Sequence, residues 1–286
     1  MKRQKLNGMK DKYSRLISIL REMDGAVVAY SGGVDSSLLL KACKDTMGEK
    51  VIAVIADSLT MPRIELSEAL DMAESIGVTP VVVKTDEFSD INFCRNDKNR
   101  CYYCKDTLFK EIKKIADANN ISHILYGGNL DDETDYRPGI RAAGENEARA
   151  PLCEAGLTKS EVRILSKKLN LKTWDKPAQA CLSSRIPYGV SITMKRLQKI
   201  EKAEYILREL GFIVSRVRLQ DDHSVRIEIE KTDFNKILDN EVRQKIVSEI
   251  KKLGFTYIAL DLEGFRSGSM NEVLPTETDY RIKDKE

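Results

Sequence analysis

Ala26-Val27-Val28-Ala29-Tyr30-Ser31-Gly32-Gly33-Val34-Asp35-Ser36-Ser37-Leu38-Leu39-Leu40 is the stretch on which the fold turns. One apolar run ends at Tyr30 and another opens at Leu38, with a Ser-Gly-Gly turn between them. The first run reads as a buried strand and the second as the opening of a helix. Gly32 and Gly33 let the backbone turn tightly and approach a ligand closely. The N–H groups of the first helical turn then face a phosphate, whose charge the helix dipole favours. Ser31, Ser36 and Ser37 add hydroxyl donors. The loop lacks the Gly-Lys-Ser/Thr ending of a Walker sequence. Ser/Gly/Asp clusters also make ordinary turns and N-caps, but the flanking strand and helix favour the anion site.

Outward from this loop, strand and helix alternate. Val51–Ala56 reads as a strand, 63–76 as a helix closed by Gly77, Thr79–Lys84 as a valine-rich strand, Lys105–Ala118 as an amphipathic helix and Ile121–Tyr126 as another strand. Near-continuous apolar strands separated by helices mean a parallel sheet covered on both faces. Ligands bind such sheets at the C-terminal ends of the strands, which gathers the Ser31–Ser37 loop, Asp57-Ser58 and Gly127-Gly128-Asn129 around one crevice. Thr158 with Glu161 makes a capping box for a helix over 159–169. Beyond residue 180 the order becomes helix (Thr193–Leu210), strand (Phe212–Leu219), strand (Ser224–Glu230), helix (Glu241–Leu253), strand (Thr256–Leu260), which is a small α+β domain. The expected division is 1–180 and 181–286, with a frayed polar tail after Pro275.

The chain's 286 residues, 42% of them hydrophobic and 32% charged, suffice for one large or two modest domains with a soluble surface. A net charge of +2 gives no general argument for nucleic acid. No run approaches the roughly 18 apolar residues of a membrane helix, and Met1-Lys2-Arg3-Gln4-Lys5 leads into an amphipathic helix rather than a signal peptide. A cytoplasmic protein is expected.

Disulfides are then a poor default for Cys43, Cys94, Cys101, Cys104, Cys153 and Cys181. Cys43 reads as a small core residue. Cys101-Tyr102-Tyr103-Cys104 puts two thiols within one helical turn, and Cys181 lies in a distant polar loop with Ser183, Ser184 and Arg185. Two close soft ligands and one remote one can hold a metal centre. Three thiolates suit a 4Fe-4S cluster with one open iron, whereas a structural zinc would need Cys94, Cys153 or His123 beside the pair. Arg185 beside Cys181 would favour a thiolate nucleophile. The Ser31–Ser36 loop resembles that of enzymes that split ATP into AMP and pyrophosphate, and such splitting turns a carboxylate oxygen into a good leaving group, AMP, which sulfur can displace. Mg2+ would neutralise the pyrophosphate, with Asp35 and Asp57 to bind or orient it; either is alternatively a simple helix-start acid.

The Ser31–Ser36 hexapeptide resembles the PP-loop of the N-type ATP pyrophosphatases, the adenine nucleotide alpha hydrolase-like fold. Together with Gly127-Gly128-Asn129-Leu130-Asp131-Asp132, Arg137-Pro138-Gly139, Pro151-Leu152, Leu157-Thr158-Lys159, Lys176-Pro177-Ala178, Cys181-Leu182-Ser183-Ser184-Arg185-Ile186-Pro187-Tyr188-Gly189 and Gly264-Phe265-Arg266-Ser267-Gly268-Ser269-Met270-Asn271, the chain resembles the LarE family along its whole length. These are ATP-dependent sulfur transferases of nickel-pincer nucleotide biosynthesis. The resemblance implies adenylation of the carboxylates of pyridinium-3,5-biscarboxylic acid mononucleotide and their conversion to thiocarboxylates. It also implies a homo-oligomer. Some members sacrifice the sulfur of the cysteine matching Cys181; others carry a 4Fe-4S cluster on three cysteines and draw on a sulfide donor. Cys101 and Cys104 beside Cys181 favour the second type. The expected site is then Cys181, Asp35 and Arg185 for catalysis, and Ser31, Gly32, Gly33, Asp35, Ser36, Ser37, Asp57, Gly128, Asn129, Arg266 and Ser267 for the nucleotides, ATP with Mg2+ and the mononucleotide. Arg218 and Arg226 read as alternating residues on an exposed strand face.

The main rival is a 4Fe-4S tRNA thiolase of the same superfamily, which the balanced charge disfavours. An amidating ligase related to NAD synthetase would need no reactive cysteine, and a non-enzymatic iron–sulfur scaffold would release no AMP.

Overall fold

In the computed structural model, residues 2–134, 138–177, 180–266 and 268–272 are described. Arg137, Ala178, Ser267 and the tail after Pro275 lie outside these residues. The elements in chain order are α1 (Lys2–Arg21), β1 (Ala26–Ala29), α2 (Val34–Met47), β2 (Val51–Asp57), α3 (Arg63–Ile76), β3 (Val81–Lys84), α4 (Ile91–Cys94), α5 (Arg100–Ala118), β4 (Ile124–Tyr126), α6 (Pro138–Glu145), α7 (Pro151–Glu154), α8 (Lys159–Lys168), α9 (Met194–Glu209), β5 (Ser215–Leu219), β6 (Ser224–Ile229), α10 (Phe234–Leu238), α11 (Asn240–Lys252) and β7 (Tyr257–Leu260). They divide into two compact units, Met1–Gln179 and Ala180–Glu286.

The first unit is the expected α/β layer structure. Its sheet has the order β3-β2-β1-β4, with every pairing parallel. Because side chains alternate along a strand, each strand feeds two cores. Ala26 and Val28, Ala53 and Ile55, and Leu125 pack with α1, α2 and α3 on one face. Val27, Val54 and Ile124 pack with Leu108, Phe109 and Ile112 of α5 on the other. The edge strand departs from this pattern. Val81 is 42% and Val82 46% exposed, so β3 is not covered on both faces. Three consecutive valines announce a strand but not its place in the sheet. Beyond β4, the Arg149 backbone extends the hydrogen bonding, accepting from Tyr126 N at 2.9 Å and donating to Ile124 O at 2.8 Å.

Parallel order with β1 between β2 and β4 brings the ends of three strands to one edge. The segments after them, 30–37, 57–60 and 127–132, therefore neighbour one another. Helix α2 begins at Val34, earlier than the apolar run indicates, so that Gly33 is its N-cap. Helix α5 begins at Arg100, which places the Cys101/Cys104 pair at its N-terminal end. Among the described residues no helix is long and apolar enough to cross a membrane.

The second unit has a three-stranded sheet of order β5-β6-β7, with β5 antiparallel and β7 parallel to β6. Leu197, Ile200, Ala203 and Leu207 form the buried seam of α9, at the three- and four-residue spacing of an amphipathic helix.

Candidate active site

The loop after β1 is shaped by close packing. Gly32 has φ +70, and a Cβ there would stand 2.3 Å from the Ala69 Cβ of α3. Gly127, at the end of β4, lies against the first turn of α2, where an added Cβ would be 2.7 Å from Ser36 N. Ser36 Oγ staples the turn, donating to Gly33 O at 3.2 Å, accepting from Ser31 N at 3.3 Å and lying 3.1 Å from Ser31 Oγ. The result is a tightly fixed turn at a helix N-terminus, the setting in which backbone N–H groups bind phosphate.

Ser37 faces the protein interior. It is 0% exposed, and its hydroxyl lies 3.5 Å from the Tyr30 hydroxyl, which donates to Ala69 O. Burial pushes the Tyr30 phenol up to about 12. This Tyr30–Ser37–Ala69 contact belongs to the packing between the loop and α3.

Asp35 stands in the first turn of α2, where a carboxylate complements the helix dipole. It accepts from Asn129 Nδ2 at 3.3 Å and pairs with Lys159 Nζ. Asn129 is fixed in turn by Asp132, which accepts from its N and Nδ2 at 3.0 and 3.1 Å. Gly128 packs closely, a Cβ there reaching within 2.7 Å of the Tyr126 ring. Asp57, at the end of β2, pairs with Arg63, whose guanidinium also holds the Ser58 and Met61 carbonyls. Asp35 is thus held at both oxygens beside the loop, by Asn129 and Lys159, and Asp57 is paired with Arg63.

Lys159 belongs to the Leu157-Thr158-Lys159 motif but not to the expected site residues, although a signal for its position was present. The capping box starts α8 directly at Lys159: Thr158 caps the Glu161 N–H, Glu161 accepts from Thr158 N at 3.0 Å, and Lys159 N donates to Asp131 at 2.8 Å. Glu161 also accepts from Lys12 Nζ at 2.9 and 2.8 Å. Burial alone would raise the Glu161 carboxyl, but the bonds from Lys12 and Thr158 outweigh it and hold the group below its usual 4.5. A carboxylate shifted downwards stabilises the fold fully above its unfolded pKa, and that contribution fades as pH falls through the folded value. Thermal unfolding followed between about pH 5 and pH 3 will show a steeper loss of stability in the native chain than in Glu161→Gln. Equal slopes would contradict this.

In the second unit, Cys181 heads a one-turn helix, Leu182–Arg185. Its carbonyl accepts from Ser184 N at 3.0 Å, Ser184 Oγ at 2.8 Å and Arg185 Nη1 at 3.0 Å. Arg185 is only 2% exposed. Its Nε and Nη2 fork onto Glu204 at 2.8 and 3.0 Å, and its Nη1 also donates to Ala180 O. Arg185, expected beside Cys181 as a catalytic group, directs its donors to Glu204 and the cysteine turn.

Arg218 is likewise buried rather than on an exposed strand face. It donates to Glu228 at 3.0 Å, to Ser184 O at 2.9 Å and to Ser269 Oγ at 3.2 Å. Arg226 shares the Glu228 carboxylate at 3.0 Å and pairs with Asp261 at 3.2 Å. Glu228 is 0% exposed, so the two guanidinium groups neutralise a carboxylate withdrawn from water. Arg266 pairs with Glu263 and with Glu272 at 3.2 Å, and the Glu272 bond raises its pKa.

Residues 25–132 match the family model described as the arginosuccinate synthase N-terminal HUP domain. An uncharacterized protein of Synechocystis is 41% identical over 266 residues, 93% of this chain and 99% of its own length. The pyridinium-3,5-bisthiocarboxylic acid mononucleotide synthase of Lactiplantibacillus plantarum, a LarE protein, is 37% identical over 264 residues, 92% of this chain and 95% of its own length. The chain belongs to the LarE family. A more distant likeness, to the NH(3)-dependent NAD(+) synthetase of Thermotoga neapolitana, is 36% identical over 85 residues, 27% of this chain and 28% of that protein. The chain is thus an enzyme of the ATP-dependent PP-loop class.

Within the LarE frame the cysteines need separate treatment. All six are free thiols. Cys43 is buried, which pushes its thiol up to about 12, and Cys94 is raised by burial, Asp90 and Asp86. Cys101 is exposed and Cys104 half-buried, with Cys104 Sγ 3.7 Å from Glu87 Oε1. As soft donors on one helical turn these two fit cluster or zinc ligands in their chemistry. Among the described residues, however, no three His, Cys, Asp or Glu side chains converge as a metal site.

Proposed function

We propose that this LarE-family chain is an ATP-dependent sulfur transferase that converts the carboxylates of a pyridinium biscarboxylate mononucleotide to thiocarboxylates, acting in the cytoplasm. The observation that carries the reading is the occurrence, in one chain, of a Ser-Gly-Gly loop at a helix N-terminus, with Asp35 of that helix paired to Lys159 of α8, and of a cysteine at the head of a clamped turn. The likeness to the L. plantarum synthase over 92% of the chain supports the substrate class, and six free thiols suit a reducing compartment.

A substrate carboxylate oxygen attacks the α-phosphorus of ATP, and the bond to the β,γ-phosphates breaks to release pyrophosphate. The α2 N-terminus and Lys159 bind and orient the phosphates, while Asp35 fits a hard divalent cation. Mg2+, when bound, supplies charge neutralisation for the leaving pyrophosphate. A sulfur nucleophile then forms a bond to the carbonyl carbon, and AMP departs with the former carboxylate oxygen. The reaction repeats on the second carboxylate.

The finer reading assigns Cys101, Cys104 and Cys181 as ligands of a 4Fe-4S cluster. Such a cluster, when bound, supplies an open iron able to carry a sulfide. Iron and acid-labile sulfide measured after anaerobic purification will give about four of each per chain, lost in Cys101→Ala, Cys104→Ala and Cys181→Ala. A chain without iron after reconstitution makes Cys181 itself the consumed donor: its Cβ–S bond then breaks by elimination, leaving dehydroalanine. The transferase reading itself is tested by incubating the protein with ATP, Mg2+ and the biscarboxylate mononucleotide and identifying the products by mass. Thiocarboxylate with AMP and pyrophosphate supports it; amide product, or AMP without sulfur incorporation by the native protein, contradicts it.

A further inference from the structure

We propose that Glu204 is a positioning residue for Cys181, acting through Arg185. This rests on the sulfur-transfer reading above. A single turn such as Leu182–Arg185 has little stability of its own, so the orientation of Cys181 depends on what holds the turn from outside. Arg185 Nη1 grips the carbonyls of Ala180 and Cys181, the two that bracket the reactive residue. The other side of the same rigid guanidinium is fixed by Glu204, through two nearly parallel bonds of 2.8 and 3.0 Å. A bidentate fork fixes the plane of the guanidinium as well as its distance. Glu204 is itself fixed, since its Oε1 accepts the Val217 backbone N–H of β5 at 3.0 Å.

The chain of contacts runs from β5 backbone to Glu204, to Arg185, to the Cys181 carbonyl. The next residue of β5, Arg218, holds the Ser184 carbonyl at 2.9 Å, closing the turn from its other end. Glu204 sits beside the apolar seam of α9, next to Ala203 and between Ile200 and Leu207. A carboxylate and a buried guanidinium are a weak source of stability there compared with apolar residues of similar volume. What they provide is direction: a cation held so that its remaining donors point at the cysteine turn.

The test uses the full chain and counts two products separately. In Glu204→Gln the amide keeps an oxygen for Val217 but sets an NH2 group against one arm of the guanidinium, so the fork opens. Substrate-dependent pyrophosphate release will stay within about twofold of the native rate, while thiocarboxylate formation falls on the order of 10- to 100-fold, as expected for a displaced reacting group. Amide exchange at Ser184 and Ile186, whose N–H groups bond to the Cys181 and Ser183 carbonyls, will accelerate. Ile246→Val, in the α11 core, will lower the melting temperature without uncoupling the two products.

The proposal is overturned if thiocarboxylate and pyrophosphate fall together in step with lost stability, or if Glu204→Gln keeps native coupling and native exchange at Ser184 and Ile186. If the native protein makes no thiocarboxylate, the sulfur-transfer reading fails. The exchange measurement then decides separately whether Glu204 holds the turn, with unchanged exchange refuting the clamp.

Discussion

Replacing Cys181 with alanine will reduce thiocarboxylate formation more than about 10³-fold, the scale of loss when a nucleophile is removed. Pyrophosphate release on addition of the biscarboxylate mononucleotide will persist within about twofold in the first turnover. The separation follows from how the cysteine is held. Arg185, Ser184 N and Ser184 Oγ all bind the Cys181 backbone carbonyl rather than its sulfur. An alanine therefore keeps the turn and removes the sulfur atom alone. The proposed adenylation site, the Ser31–Ser36 loop with Asp35 and Lys159, is not altered by the substitution. Quantifying both products by chromatography, with mass analysis of the nucleotide, checks this. Thiocarboxylate at the native rate from Cys181→Ala would exclude Cys181 from sulfur delivery.

The second large effect belongs to Asp35. Asp35→Ala will lower substrate-dependent pyrophosphate release on the order of 10²-fold, a typical loss when a positioning contact is removed. Melting temperature will change little, because a partly exposed ion pair contributes roughly 1 kcal/mol or less. Two groups converge on this carboxylate: Asn129 Nδ2 reaches one oxygen and Lys159 Nζ the other. Asn129 belongs to the segment after β4 and Lys159 to the start of α8, so Asp35 ties two elements to the phosphate-facing turn. Asp35→Asn retains an oxygen for Asn129 but loses the charge that holds Lys159, and will fall between native and alanine. Parallel rate and unfolding measurements check both variants. A large loss of stability with a proportionate loss of rate would make Asp35 a packing residue.

Much of this architecture is legible from sequence because its signals are local. The Ala26–Tyr30 run, the two glycines and the leucines after them specify strand, turn and helix within fifteen residues, and the structure places those elements there. Thr158 and Glu161 likewise form the capping box that their spacing predicts. What escaped depends on tertiary partners. Arg218 sits on an alternating strand, but alternation alone does not tell which face is dry when a charged residue has a buried counterion. Glu228 supplies that counterion from the neighbouring strand. Arg185 reads as a catalytic neighbour of Cys181, but its fork onto Glu204 is invisible locally, because Glu204 approaches from a helix nineteen residues on. Ser37 looks like a third loop hydroxyl, yet helical periodicity turns it toward Tyr30. The exposure of Val81 and Val82 follows from their place at a sheet edge, which no local pattern encodes. Helix α6 opens at Pro138, a residue well suited to a first helical position.

The most direct test of carboxylate adenylation is the fate of substrate oxygen. The biscarboxylate mononucleotide, labelled with oxygen-18 in its carboxylates, is incubated with the native protein, ATP and Mg2+, and the AMP is examined by mass spectrometry. One labelled oxygen in the AMP phosphate for each thiocarboxylate formed is the predicted result. Thiocarboxylate accompanied by AMP without the label would show that the oxygen never bonded to the α-phosphorus, and would contradict adenylation as the activating step.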